Sequence, residues 1–275
     1  MTTPFHCGRF VLDVDRPLLM GIVNLTDDSF SGDGLHGDVE RAVAHARELL
    51  AQGADILDLG AESSRPGAQP VPATRELACL LPVLDRLRDC GAPVSIDTVK
   101  PEVMREVLAA GADMINDVNA LRAPGAWEVV AASDCGLCLM HMQGEPRTMQ
   151  ADPRYMDVVA EVAGFLGDAL DIAGRHGVAD ERLLVDPGFG FGKTLAHNVA
   201  LFRALPELAR LAPVLVGVSR KSMLGLITGR PVGERVAASV AAALMAAQAG
   251  AAVLRVHDVA ETVDALKVWQ ALRQA

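Results

Sequence analysis

Between Val94 and Asp117 the chain reads VSIDTVKPEVMREVLAAGADMIND, and this stretch decides the fold. A short aliphatic run, Val94–Ile96, ends on the carboxylate of Asp97. Pro101 stands where a first helical residue tolerates a missing N–H, the pattern predicts a helix over Pro101–Ala110, and Gly111 stops it. A second aliphatic pair, Met114–Ile115, follows and closes on Asn116 and Asp117. Strand, polar loop, helix, glycine and strand form the repeating unit of a parallel sheet covered by helices.

The same unit recurs in both directions. The predicted strands are Leu18–Val23, Ile56–Leu59, Val94–Ile96, Met114–Ile115, Leu137–Met140, Leu183–Val185, Val214–Val218 and Val253–Val256. Helical patterns cover Val39–Gln52, Thr74–Cys90, Pro101–Ala110, Pro124–Ser133, Tyr155–His176, Leu195–Leu211, Gly233–Ala249 and Val259–Gln274. Eight strand–helix units imply an α/β chain closed into a (β/α)8 TIM barrel. No linker or low-complexity stretch divides it, so residues 1–275 read as one domain. Phe5–Asp15 precedes the first strand and reads as a small hairpin over the barrel bottom.

The length of 275 residues suits one such barrel and buries a large core. Hydrophobic residues make up 51% and aromatics only 4%, so the core is aliphatic, as doubly covered parallel strands require. A net charge of −10 argues against a nucleic-acid partner, so any phosphate site must be a local cluster of cations. The five cysteines are scattered, suggest no disulfide framework, and fit a reducing cytoplasm. Cys135 and Cys138 form a CxxC without a second pair, which reads as buried thiols rather than zinc ligands. Val236–Leu254 carries no charge and is long enough to raise a membrane question. Gly250 splits it into a helix and a strand, so no membrane partner is expected.

In such a barrel the chemistry sits at the C-terminal ends of the strands. The residues there are Asn24, Asp58 with Glu62, Asp97, Asn116 with Asp117, His141, Asp186, Ser219 with Arg220 and Lys221, and Arg255 with His257. Carboxylates and amides occupy the middle strands, and cations gather on the last two. That layout suggests a neutral polar heterocycle at the centre and an anion at the side. The run Gly188-Phe-Gly-Phe-Gly192-Lys193-Thr194 tempts a nucleotide reading, but a Walker A loop needs a glycine at the position of Pro187. It reads instead as a tight turn beside a ligand.

The stretches Met20-Gly-Ile-Val-Asn24, Glu62-Ser-Ser-Arg65-Pro-Gly67, Ser95-Ile-Asp97-Thr, Ile115-Asn116-Asp117, Leu139-Met-His-Met-Gln-Gly144, Asp186-Pro-Gly-Phe-Gly-Phe-Gly-Lys193, Gly217-Val-Ser-Arg-Lys221-Ser222 and Arg255-Val-His257-Asp258 resemble the dihydropteroate synthases from end to end. The resemblance implies an enzyme of folate biosynthesis, a transferase that joins 7,8-dihydropterin-6-ylmethyl diphosphate to p-aminobenzoate with magnesium. It implies that Asp97, Asn116 and Asp186 hold the pterin, with Lys221 at its carbonyl oxygen and Met140 and Phe189 beside it. Carboxylates accept from ring N–H and amino groups, and an amide does both. Asn24, Arg255 and His257 are then expected at the diphosphate, with Asn24 offering the metal an oxygen. Phe30 and Phe189 are expected to sandwich the benzene ring of p-aminobenzoate. Ser64, Arg65 and Pro66 are expected in its loop, with Lys221 and Ser222 near its carboxylate. Asp97, Asp186, Lys221, Arg255, His257 and Arg65 are the expected catalytic set, in a cytoplasmic homodimer inhibited by sulfonamides.

The first loop departs from the family pattern: Asp27 stands where proline is usual, and Ser31-Gly-Asp-Gly34 replaces Ser-Asp-Gly-Gly. That loop leaves open a non-catalytic pterin-binding relative. A methyltetrahydrofolate–corrinoid methyltransferase shares the pterin set but should lack the Ser-Ser-Arg-Pro and Ser-Arg-Lys-Ser runs, both present here.

Overall fold

The structure is a computed structural model that describes residues 4–26, 38–63 and 68–273. Eight parallel strands form one sheet: β3 (Leu18–Asn24), β4 (Ile56–Gly60), β5 (Val94–Asp97), β6 (Met114–Asp117), β7 (Gly136–Met140), β8 (Leu183–Asp186), β9 (Leu215–Val216) and β10 (Val253–Val256). Strands β3 to β8 are neighbours in chain order, β10 returns beside β3, and β9 lies beside β10. A parallel bridge between Val185 and Val214 and a hydrogen bond from the Val185 N–H to the Pro213 carbonyl (3.1 Å) bring the two ends together. The expected barrel is therefore present.

The principal helices behind the strands are α1 (Val39–Gln52), α2 (Ala73–Leu87), α3 (Pro101–Ala109), α4 (Ala126–Ala131), α5 (Val158–Arg175), α6 (Leu195–Arg203), α7 (Leu205–Leu208), α8 (Ser222–Thr228), α9 (Val236–Gln248) and α10 (Val259–Arg273). Helix α1 has the predicted bounds because both ends carry stop signals. The Asp38 side chain accepts from the Arg41 N–H, and Gly53 takes a left-handed φ of 108°. The predicted Leu195–Leu211 helix is instead two, α6 and α7, divided at Ala204 just before Pro206, which has no N–H to continue the ladder. The uncharged stretch near the C-terminus is the expected helix and strand, α9 and β10. No helix among the described residues is long and apolar enough to cross a membrane.

Strand alternation sorts the side chains into two layers. Leu57 and Leu59, Ile96, Ile115, Leu137 and Val185 face outward into the main core beneath the helices. Leu18, Met20, Ile56, Met114, Cys138, Leu184, Leu215 and Val253 fill the lower barrel interior. The predicted hairpin, β1 (Phe5–Cys7) paired with β2 (Phe10–Leu12), plugs that end, with Phe5 and Cys7 buried in the interior cluster. Arg9 fixes it there by two bonds to the buried Asp113 carboxylate, at 2.9 and 3.1 Å. With the lower interior apolar and sealed, the polar interior residues are left at the upper, C-terminal end. Cys135 and Cys138 are buried free thiols.

Candidate active site

Four strands project their last inward residues into one buried array. Asp97 and Asn116 are register partners on β5 and β6. Arg255 reaches across from β10, donating from Nε to Asp58 Oδ2 (2.6 Å) and from Nη2 to Asp97 Oδ2 (3.1 Å). Asp58, on β4 and wholly buried, also accepts from Asn116 Nδ2 at 3.2 Å, while its Oδ1 has no hydrogen-bond partner among the described residues. One guanidinium thus serves two carboxylates. Burial pushes the Asp97 carboxyl up to about 7 against the pull of Arg255, and the negative charges of Asp58 and Asp117 push the same way. Arg255 is held firmly charged despite burial by the same two carboxylates. Asp97 is bound to Arg255 rather than capping the following helix: the residue before Pro101 is Lys100, with no side-chain cap. Asp117 is structural. Its carboxylate accepts from the Asn119 and Leu121 N–H groups at 2.6 and 2.8 Å.

Asp186 closes the array from β8, accepting the Gly188 N–H at 2.7 Å. Burial raises its pKa, opposed by Lys221, the Gly188 N–H, Lys193 and Arg255. Lys221 follows β9, its Nζ donating to the Phe189 carbonyl at 2.6 Å and lying 4.7 Å from the centre of the Phe191 ring. Burial pulls this ammonium down to about 8, against the attraction of Asp186. A strained residue aims it: Arg220 adopts a left-handed φ of 56°, which a side chain rarely takes. Arg220 was expected among the phosphate cations, but its guanidinium grips Asp258 at 2.5 and 3.2 Å, tying this turn to the start of α10. His257 stacks its Nδ1 against Ser219 Oγ at 2.9 Å. Asn24 ends β3 half-buried, and Ser222 is exposed as the first residue of α8.

Two expectations need correction or lie out of view. Phe189 was expected to face the ligand, but its ring is wholly buried against Phe202, 5.7 Å between centroids, in the core behind the strands. Only its carbonyl reaches the site. The ring beside Lys221 belongs to Phe191, which packs on Met140, Val118, Met142 and Met149. Met140, expected beside the pterin, is buried in that same cluster. Phe30, Ser64, Arg65 and Pro66 lie outside the described residues, as does Asp27.

Sequence reading placed Asp58 among the strand-end polar residues but gave it no role, and gave none to Phe191 or Lys193. For Asp58 a signal existed, a carboxylate inside an aliphatic strand. For the two phenylalanines none did, since alternate glycines free the backbone from strand alternation. Gly188, at φ 69°, admits no side chain at all: a Cβ there would lie 1.9 Å from the His141 carbonyl oxygen.

Residues 20–257 match the family model described as "Pterin binding enzyme". Dihydropteroate synthase of Neisseria meningitidis serogroup B is 51% identical over 276 residues, covering 98% of this chain and 97% of that protein. The structure of Burkholderia cenocepacia dihydropteroate synthase complexed with 7,8-dihydropteroate superposes with a TM-score of 0.91 at 52% identity, covering 99% of this chain and 97% of that one. The structure of Xanthomonas albilineans dihydropteroate synthase with 4-aminobenzoic acid gives a TM-score of 0.93 at 53% identity over the whole of both chains. A buried carboxylate–amide array at the strand ends, on a barrel similar to these over its full length, leaves one assignment: the chain belongs to the dihydropteroate synthase family of pterin-binding enzymes.

Proposed function

We propose that the chain is a dihydropteroate synthase: it condenses 7,8-dihydropterin-6-ylmethyl diphosphate with p-aminobenzoate, giving 7,8-dihydropteroate and diphosphate. The observation that carries this reading is the buried array of Asp97, Asn116 and Asp186 with Lys221 at its side. An aminopyrimidinone edge presents N–H donors beside acceptors, and two carboxylates with one amide match it. Lys221 exchanges the Phe189 carbonyl for the ring carbonyl of the pterin. In the reaction the amine nitrogen forms a bond to the methylene carbon as the carbon–oxygen bond to diphosphate breaks. The bonding pair leaves with diphosphate, and the amine gives up a proton. Negative charge therefore grows on the leaving group, where Arg255 and His257 offer donors. Binding both reactants in one pocket supplies the rest of the acceleration. The ring of p-aminobenzoate packs on Phe191, with Lys221 and Ser222 near its carboxylate. Phe30, Ser64, Arg65 and Pro66 are assigned to the same pocket by the resemblance alone.

Magnesium fits this site as a companion of the diphosphate rather than a resident ion. Among the described residues no group of three His, Cys, Asp or Glu side chains forms a cage, and the Asn24 amide is a hard oxygen at the strand end. Asn24 would offer magnesium a side-chain oxygen, and the ion would supply positive charge that favours departure of the diphosphate.

A homodimer is part of the same reading. Leu226 and Ile227 on α8, Met245 on α9 and Val268 and Leu272 on α10 are exposed apolar side chains on packed neighbouring helices. Sedimentation should give twice the chain mass. Five free cysteines favour the reducing cytoplasm.

The array is tested by calorimetry with the dihydropterin. Asp186→Asn and Asp97→Asn should each weaken binding at least tenfold, since a charged hydrogen bond in a dry site contributes about 1.5–3 kcal/mol. Unchanged affinity in either variant would defeat the assignment. Tight pterin binding with no turnover would instead indicate a non-catalytic relative.

A further inference from the structure

The glycine-rich turn after β8 ends on a lysine that neither the pterin nor the amine reading uses. Lys193 is only 3% exposed. Its Nζ lies 2.9 Å from His141 Nδ1, 3.3 Å from the His141 carbonyl oxygen and 3.0 Å from the Phe191 carbonyl oxygen. Three acceptors around one nitrogen match the three donors of an ammonium, whereas a neutral amine has two. Donation to Nδ1 puts the ring proton of His141 on Nε2. The turn is also held elsewhere: Tyr155 OH donates to the Gly192 carbonyl at 2.9 Å, Gln150 Nε2 to that of Gly190, and Lys221 to that of Phe189. The His141 N–H in turn donates to the Asp186 carbonyl at 2.9 Å. Lys193 therefore sits directly behind the Asp186 segment, bonded to the residue that bonds it.

We propose that Lys193 is a positioning residue whose buried positive charge, held between β7 and the turn after β8, keeps Asp186 a carboxylate for the pterin. The inference rests on the functional reading above. Its chemistry is that of a second cation: Lys221, bonded to the Phe189 carbonyl, and Lys193, bonded to the residue that bonds the Asp186 carbonyl, both favour the ionised carboxylate. Besides Asp186, the charged group acting on Lys193 is Lys221, which repels it, while His141 beside it is kept neutral by burial and by Lys193 itself and Tyr155, on the Gly192 carbonyl, is neutral. None of these supplies a negative charge that would compete with Asp186. Burial pulls Lys193 down to about 7, so its charge is adjustable near neutral pH.

The test uses 6-hydroxymethyl-7,8-dihydropterin, which lacks the titrating diphosphate, and calorimetric affinities from pH 5.5 to 9. Lys193→Gln keeps donors but removes the charge. It should move the acid midpoint of binding upward by about half a pH unit or more and weaken binding about threefold to tenfold at pH 6, with Lys193→Arg restoring the wild-type profile. A wild-type profile in Lys193→Gln would overturn the proposal and leave the lysine as scaffold. A second measurement needs no variant fold. The chain has only four lysines, so their ε-carbon signals are resolvable by NMR. If the charge favours pterin, pterin must raise the Lys193 titration midpoint by the same factor, and an unmoved midpoint would overturn the proposal equally. Wild-type binding with either negative result defeats only this inference. Failure of the wild type to bind any pterin defeats the functional reading and this inference with it.

Discussion

Replacing Arg255 by Met removes a cation that serves two carboxylates at once, and its cost should depend on pH in a way that identifies the pairing. Asp58 is fully buried and Asp97 nearly so, at 2.6 and 3.1 Å from the guanidinium. Removing one member of a buried ion pair costs about 3–5 kcal/mol. In the wild type Asp97 titrates near 7 because burial outweighs the attraction of Arg255. Below that pH Asp97 is neutral with or without Arg255, so only the Asp58 pair is lost, at about 3 kcal/mol. Above it the wild-type residue ionises, whereas in the variant it stays protonated to higher pH, because the group that lowered its pKa is gone. Each pH unit over which the two differ adds about 1.4 kcal/mol. The penalty should therefore grow by about 1 kcal/mol between pH 5.5 and pH 8. Urea melts of both proteins at the two pH values, with slopes unchanged, measure it. A penalty that is equal or smaller at pH 8 would refute the claim that Arg255 is what keeps Asp97 ionised.

Three further outcomes follow from the geometry. Phe191→Ala should raise the KM for p-aminobenzoate with little effect on pterin affinity, whereas Phe189→Ala should cost about 3–5 kcal/mol of stability as a core truncation; steady-state kinetics and melts separate the two, and the reverse pattern would restore the original placement of Phe189. Gly188→Ala should not yield folded protein at 37 °C, since its Cβ would overlap the His141 carbonyl and its φ of 69° disfavours any side chain; a soluble variant with normal near-ultraviolet circular dichroism would contradict this. Arg9→Ala leaves the buried Asp113 carboxylate with backbone donors only and should lower stability by about 2 kcal/mol, allowing for the half-exposed guanidinium, without changing pterin affinity in the same preparation.

The barrel was legible because its signals are local. Each aliphatic run is short, helices such as α1 and α3 have an aspartate or proline at the start and a glycine behind, and eight repetitions leave little choice of topology. Boundaries failed where local rules compete. Pro124 promised a helix start, but Gly125 takes a left-handed φ of 86° at the cap, so α4 begins at Ala126. Strand β9 is two residues, Leu215–Val216, where five were expected, because the chain turns off toward Arg220 after Gly217. Helix α8 went unread since seven residues between two turns carry too few positions to show a period.

The site was legible as a set of strand-end residues and less so as a set of contacts. Asp97, Asn116, Asp186, Lys221 and Arg255 converge as the order of strands requires. What no spacing reveals is which side chains meet across the barrel: that Arg255 binds Asp58 as well as Asp97, that Arg220 turns away to Asp258, and that Lys193 lies behind Asp186. The first two are pairings between residues far apart in the chain, 197 positions for Arg255 and Asp58 and 38 for Arg220 and Asp258. The choice between Phe189 and Phe191 was undecidable because glycines at 188, 190 and 192 all take positive φ, which abolishes the alternation a strand would impose.

The central claim is tested most directly by diphosphate release from 7,8-dihydropterin-6-ylmethyl diphosphate and magnesium, with and without p-aminobenzoate. The account predicts release that depends on p-aminobenzoate and is matched mole for mole by 7,8-dihydropteroate. Release that ignores p-aminobenzoate, or none at all while the pterin stays bound, would contradict it.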